Sequence, residues 1–207
     1  MNKLVKDALV LTCITVIAGF ALGLVYEITK APIKKAEEAA LQKAYNTVFS
    51  EADSFKDLEG FDADEATKLV QDAGYSDDTI DSCSVAYDKS SNPIGYVITV
   101  TSSAGYGGDI TFSLGITNDG VINGYSITSI SETAGLGMKA RDEGDGTFSS
   151  QFVNRAAEIF EVTKSGASAS DEIDAISAAT ITSKAVTYGV DAGVTYFNSL
   201  VGGAANE

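Results

Sequence analysis

Asp174-Ala175-Ile176-Ser177-Ala178-Ala179-Thr180-Ile181-Thr182 is the stretch on which the reading of this chain turns. It is almost uncharged and built of small and hydroxyl-bearing residues, and a helix-like run from Ser183 to Phe197 follows at once. Small side chains let a bulky group approach the backbone, and hydroxyls offer attachment or hydrogen bonding. The start of the following helix presents unpaired N–H groups and the positive end of its dipole, a ready place for a phosphate. The residues by themselves equally describe an ordinary helix start, with Thr182 or Ser183 as its N-cap.

Upstream, Ser131-Glu132-Thr133-Ala134-Gly135-Leu136-Gly137-Met138 sets two glycines around a leucine. Such a loop lets backbone and an apolar side chain lie against a flat ring. Phe148 to Phe160 reads as a helix, and Gly166 to Ser170 as a linker into Asp174. Further back the apolar period is two. Cys83, Val85 and Tyr87 alternate with Ser82, Ser84 and Ala86, and Ser90-Ser91-Asn92-Pro93 turns the chain into Ile94–Thr101. Gly105-Tyr106-Gly107-Gly108 is a flexible break. Phe112, Leu114 and Ile116 alternate again, and Asn118-Asp119-Gly120 makes a hairpin into Val121–Ile130. These segments predict at least four antiparallel strands in a meander. Residues 51–81, where carboxylates outnumber lysines about five to one, read as a solvated face or insertion, with a short helix around Asp64–Asp72.

The N-terminal end is different in kind. Ala8 to Tyr26 contains no charge, and at ~1.5 Å per residue it just spans a hydrocarbon core of ~30 Å. No small-x-small cleavage site follows it, which favours an uncleaved anchor over a signal peptide. Gly19 and Gly23 form a Gly-x-x-x-Gly pair that suits close packing on another helix, though glycine is also simply common in membrane spans. Beyond Pro32, Ile33, Ala36, Ala40, Leu41, Ala44, Tyr45 and Val48 recur at helical spacing, which predicts a membrane-proximal helix. The expected domains are therefore an anchor over 1–28, a membrane-proximal helix over 29–50 and a soluble domain over 51–207.

Composition excludes several classes. The net charge of the 207 residues is −15, which argues against nucleic acid. Residues 1–35 hold five lysines against Asp7 and Glu27, a net +3, so the remainder carries −18. There is no histidine, which removes histidine-ligated haem, the usual catalytic zinc sites and Ser-His-Asp chemistry. Two cysteines fall short of the four thiolates of an iron–sulfur site. Redox chemistry here would have to come from a bound organic cofactor.

Asp174, Ser177, Ala179 and Thr180, as Asp-x-x-Ser-x-Ala-Thr, resemble the flavinylation motif of the FMN-binding domain family. That family includes the G subunit of the Rnf ion-translocating complex and the C subunit of the sodium-pumping NADH:quinone oxidoreductase. The Glu-Thr-x-Gly-Leu-Gly of residues 132–137 and the Gly-Tyr-Gly-Gly of 105–108 also resemble it, in the same order along the chain. Two positions depart from the pattern: Ala178 stands where the family usually has Gly, and Ala134 where it has Pro. Chain length makes the G subunit the better match.

The resemblance implies an α+β fold: a single N-terminal transmembrane helix, then an antiparallel sheet flanked by helices. It implies covalent FMN on Thr180 through a phosphoester, with Thr182 as the fallback. Ser177, Ala178, Ala179, Ile181 and Thr182 would surround the phosphate, and Glu132, Thr133, Gly135, Leu136 and Gly137 the ring. The implied role is that of an electron relay in a membrane complex that couples electron transfer between ferredoxin and NAD to sodium or proton translocation. The A, B, C, D and E subunits of the Rnf complex, the membrane and a flavin transferase are the implied partners, and no nucleic acid. A membrane-anchored flavin-dependent reductase and a cofactor-free surface module are the competing classes. On topology the indications oppose each other. Lys30, Lys34 and Lys35 outnumber Lys3 and Lys6, which leans toward a cytoplasmic domain, whereas the resemblance implies an extracytoplasmic one in a single-pass protein of the cell membrane.

Overall fold

The structure, a computed structural model, describes residues 3–204. Helix α1 runs from Lys3 to Val48 without a break. Over its most apolar 18 residues the mean hydropathy is 2.5, so it is long and apolar enough to cross a membrane. Leu9, Ile14, Ile17, Phe20 and Leu24 are all exposed, which leaves this part of the helix apolar around its circumference. Pro32 lies inside the helix, and residues 29–50 form no element of their own. A proline removes one i→i−4 hydrogen bond. The strong helix formers on either side, Glu27, Lys30, Lys34, Lys35, Ala36, Glu37 and Glu38, carry the helix through that loss. The chain divides into two compact units, 1–40 and 41–207.

In the second unit, six strands form one antiparallel sheet in sequence order: β1 Ser54–Asp57, β2 Asp78–Tyr87, β3 Pro93–Ser102, β4 Ile110–Thr117, β5 Val121–Ser129 and β6 Arg155–Ala156. The expected meander is β2 to β5. Helix α2, Ala63–Asp72, starts where Asp62 accepts the N–H groups of Asp64 and Glu65 through one carboxylate oxygen, at 2.9 and 3.0 Å. One face of the sheet carries helix α3, Thr180–Ala204, whose Val186, Val190 and Val194 are fully buried with Ile98, Val100, Phe112 and Leu114. The other face carries the last turns of α1, where Tyr45, Val48 and Phe49 pack on Ala86 and Val97. Each fully buried aliphatic side chain contributes about 1.5–3 kcal/mol.

Two expectations between residues 148 and 174 fail. Phe148–Phe160 is not a helix: a short 3-10 turn at Ser149–Phe152 ends at Asn154, which adopts φ +58°, and the chain then pairs with β5 as β6. Asn154 donates its N–H to the Ile122 carbonyl (2.8 Å), and Phe148 and Phe160 pack edge-on against Phe152. These aromatic side chains form a cluster around Phe152. Gly166–Ser170 is a hydrogen-bonded turn rather than a linker. It joins β7, Glu161–Thr163, to the parallel β8, Glu172–Asp174, and Glu172 accepts the N–H groups of Ser168 and Ala169 at 2.7 and 3.1 Å.

Two carboxyl groups, Asp78 beside α3 and Asp191 within it, are buried without a cationic partner among the described residues. Asp191 is 1% exposed and accepts the Phe160 N–H at 2.9 Å. Burial pushes its pKa up to about 8, against the lowering effect of that N–H. Burial likewise pushes Asp78 up to about 6. Both folded values lie above the unfolded one, so the folded state holds these protons longer. The stability they contribute is complete below about pH 4. It is lost as pH rises through about 6 for Asp78 and about 8 for Asp191. The domain should therefore melt at a higher temperature at pH 5 than at pH 8. Asp191→Asn, which retains an acceptor for Phe160, should flatten the upper part of that profile and gain about 1–3 kcal/mol at pH 8. A pH series of thermal melts on both proteins checks this, and parallel profiles would contradict it.

Candidate cofactor site

The site lies where α3 begins. Ala178 adopts φ +62°, a left-handed conformation that L-residues rarely take. That turn redirects the chain from β8 into the helix, and it explains physically why glycine suits this position. Helix α3 starts at Thr180, two to three residues before the expected caps at Thr182 and Ser183. The Ser183 hydroxyl instead donates to the Ala179 carbonyl (2.9 Å) and accepts the Ile176 N–H (2.9 Å), tying the turn to the helix. Ala179 occupies the N-cap position, its carbonyl accepting the Ser183 N–H at 3.0 Å. Alanine has no side-chain acceptor, so the N–H groups of Thr180, Ile181 and Thr182 stay without a cap.

A cleft of about 480 Å³ opens at this helix start, lined by Tyr106, Glu132, Thr133, Leu136, Gly137, Ala178, Ala179, Thr180, Ile181 and Thr182. That volume lies within the ~300–1,000 Å³ of small-molecule sites. Nine of the eleven expected residues line it. Ser177 instead lines a neighbouring depression of about 500 Å³ with Lys139 and Gln151, and Gly135 sits outside the wall at the loop's turn, φ +76°. Thr180 is half-buried, and its hydroxyl has no hydrogen-bond partner among the described residues. Thr182 is only 1% exposed. Its side chain is turned to Gly137, where a Cβ would lie 2.6 Å from Thr182 Oγ1. Only glycine lets the loop close on the helix at this point. Turn hydrogen bonds from Leu136 and Met138 to the Thr133 carbonyl (3.1 and 3.2 Å) hold the loop with Ala134 in place of proline.

Tyr106 is a cleft residue that the reading of the sequence did not select. It is 71% exposed, in the Gly-Tyr-Gly-Gly segment, and the signal for it was an aromatic ring set among glycines beside a flat-ring loop. With Leu136 and Ile181, also exposed, it gives the cleft an apolar rim. Lys184 is exposed and lies outside the lining. The arrangement offers three uncapped N–H groups and the unpartnered Thr180 hydroxyl in a cleft that also has apolar side chains on its wall. That donor set fits a phosphate carrying a flat ring.

Comparison with known proteins gives the class first: residues 105–195 match the FMN-binding domain family, and residues 1–48 match the RnfG N-terminal region. The chain is 32% identical to the G subunit of the Na(+)-translocating ferredoxin:NAD(+) oxidoreductase complex of Acetobacterium woodii, over 94% of this chain and 92% of that protein. It is 31% identical to the G subunit of the proton-translocating ferredoxin:NAD(+) oxidoreductase complex of Clostridium ljungdahlii, over 94% and 91%. It is 28% identical to the G subunit of the ion-translocating oxidoreductase complex of Methanosarcina acetivorans, over 97% and 98%. A crystal structure of Shewanella oneidensis NqrC shares 20% identity at a TM-score of 0.47, covering 60% of this chain and 62% of that one. The chain belongs to the G-subunit family of the ion-translocating Rnf complexes, and its domain is an FMN-binding domain.

The left-handed turn yields a prediction. Ala178→Gly should stabilise the domain by about 0.5–1 kcal/mol, because a Cβ in this conformation costs ~1–2 kcal/mol and glycine's extra unfolded-state entropy offsets part of the gain. A denaturant midpoint that moves up in the variant supports this conformation, and one that moves down speaks against it.

Proposed function

We propose that this chain is the electron-carrying subunit of a membrane-bound complex that couples electron transfer between ferredoxin and NAD to translocation of sodium ions or protons. It carries one FMN, joined through its phosphate to Thr180. The observation that carries this reading is the uncapped start of α3, with the unpartnered Thr180 hydroxyl in the cleft beside three free N–H groups. FMN, when bound, supplies the redox chemistry.

The chain's own residues place and shield it. The N–H groups of Thr180, Ile181 and Thr182 receive the phosphate, with the helix dipole favouring its negative charge. Gly137 brings the Glu132–Gly137 loop against the helix, and Tyr106, Leu136 and Ile181 keep water from the apolar wall of the cleft. Thr180 is preferred to Thr182 because it is accessible, whereas Thr182 is buried against Gly137. Residues 51–207, with the last turns of α1 packed on their sheet, form the flavin-bearing domain, and the apolar first part of α1 forms the anchor. The A, B, C, D and E subunits of the complex are the partners, and a flavin transferase completes maturation. The relatives' names divide between sodium and protons, so family membership leaves the ion open. The domain lies on the extracytoplasmic side; protease added to intact cells should release it, and protection until lysis would overturn that placement.

Attachment is tested by substitution. Thr180→Val keeps the β-branched shape and removes the hydroxyl, so after co-expression with a flavin transferase the denatured protein should show no in-gel flavin fluorescence. Thr182→Val should keep its fluorescence. The reverse pattern moves the site two residues along, and fluorescence retained in both variants refutes covalent attachment through this motif.

A further inference from the structure

Glu132 stands out within the cleft. Among the described residues that line it, Glu132 alone has a charged side chain. It takes part in no ion pair among the described residues. Its carboxylate is wedged between two glycine loops. Oε1 accepts the Gly107 N–H at 3.2 Å, and a Cβ on Gly105 would lie 3.1 Å from the same oxygen. On the other side, a Cβ on Gly137 would lie 2.7 Å from Oε2 and 2.6 Å from Thr182 Oγ1. One half-buried side chain of the 132–137 loop thus reaches the 105–108 loop through Oε1 while its Oε2 lies beside Gly137.

We propose that Glu132 is a positioning residue with a second, electrostatic role: it latches the two glycine loops across the cleft, and its uncompensated charge holds the bound flavin at a low reduction potential. The proposal rests on the reading that FMN occupies this cleft. A latch needs only an acceptor at this place, and an amide oxygen would serve the Gly107 N–H as well. The carboxylate adds a negative charge in a wall that is otherwise neutral. Charge added to a group beside it is opposed, and more strongly in a cleft than in water. Addition of electrons is such a step, so the oxidised ring is favoured and the potential falls.

Two substitutions of the full-length chain separate the roles. Glu132→Gln keeps the length and the acceptor and removes the charge. Glu132→Asp keeps the charge and shortens the reach to Gly107. Wild type and both variants are co-expressed with a flavin transferase and checked for covalent flavin in denaturing gels. Each is then measured by thermal melting and by spectroelectrochemical titration. The Gln variant should melt as wild type does, with its midpoint potential raised by about 30 mV or more, a tenfold or larger bias toward reduced flavin in a two-electron couple. The Asp variant should melt at a lower temperature with its potential near that of wild type. An unchanged potential in the Gln variant, or an equal rise in both, overturns the electrostatic role; an unchanged melt in the Asp variant overturns the latch. Should the Gln variant not fold, the Asp variant decides by itself, since a raised potential there contradicts a role for charge. Absence of covalent flavin from wild type would instead refute the reading of Thr180, while the melt of the Asp variant still judges the latch.

Discussion

The close seating of α3 on the sheet is the constraint that positions everything else. A Cβ on Gly189 would lie 2.9 Å from the Phe112 ring, and one on Gly193 would lie 2.7 Å from Leu114. These two glycines, four residues apart on one helix face, let the backbone settle onto β4 at a distance no larger side chain allows. The depth of that contact fixes where the helix begins. From there Ser183 ties the Ile176 turn to the helix, and Thr182 meets Gly137 in the loop after β5. The cleft exists because three chain segments far apart in sequence converge on a helix whose position the sheet dictates.

The charge pattern of the domain follows from the same helix. A strongly acidic protein would repel a phosphate everywhere on an ordinary surface. At the start of α3 the backbone supplies the positive end instead, with N–H groups that no side chain caps. Of the buried carboxyl groups, Asp191, on α3 itself, stays largely protonated at neutral pH and so adds little to the negative field around the helix, whereas Asp78 is neutral only below about pH 6. Among the described residues, Glu132 is the one charged side chain that lines the cleft.

Much of this was legible in the sequence, for identifiable reasons. Strands β2 to β5 follow a period-two pattern with turn residues between them, and the motif at residues 174–180 carries its own composition signal. The true start of α3 was not legible. Thr182 and Ser183 look like caps, yet one faces Gly137 and the other bonds backward to Ala179. Nor could the sequence reveal that Ala178 sits at φ +62°, since alanine gives no hint of a left-handed turn. Short strands such as β1, β6, β7 and β8 have too few residues for a period to show, and their pairing comes from distant partners. Phe148, Phe152 and Phe160 serve an aromatic cluster rather than a helix, and Asn154 takes a left-handed turn inside the expected helix. Tyr106 stands in the Gly-Tyr-Gly-Gly segment, whose place in the cleft depends on a loop closure far along the chain.

Function in this chain comes down to whether the uncapped helix start holds a phosphate joined to the free hydroxyl of Thr180. Mass spectrometry of the protein taken from its own membrane decides it: intact mass first, then fragmentation of the peptide that spans residues 174–184. The expected result is an increment of one FMN less one water, located on Thr180, with Ser177, Thr182 and Ser183 unmodified. An unmodified intact mass, or the same increment located on Thr182, would contradict it.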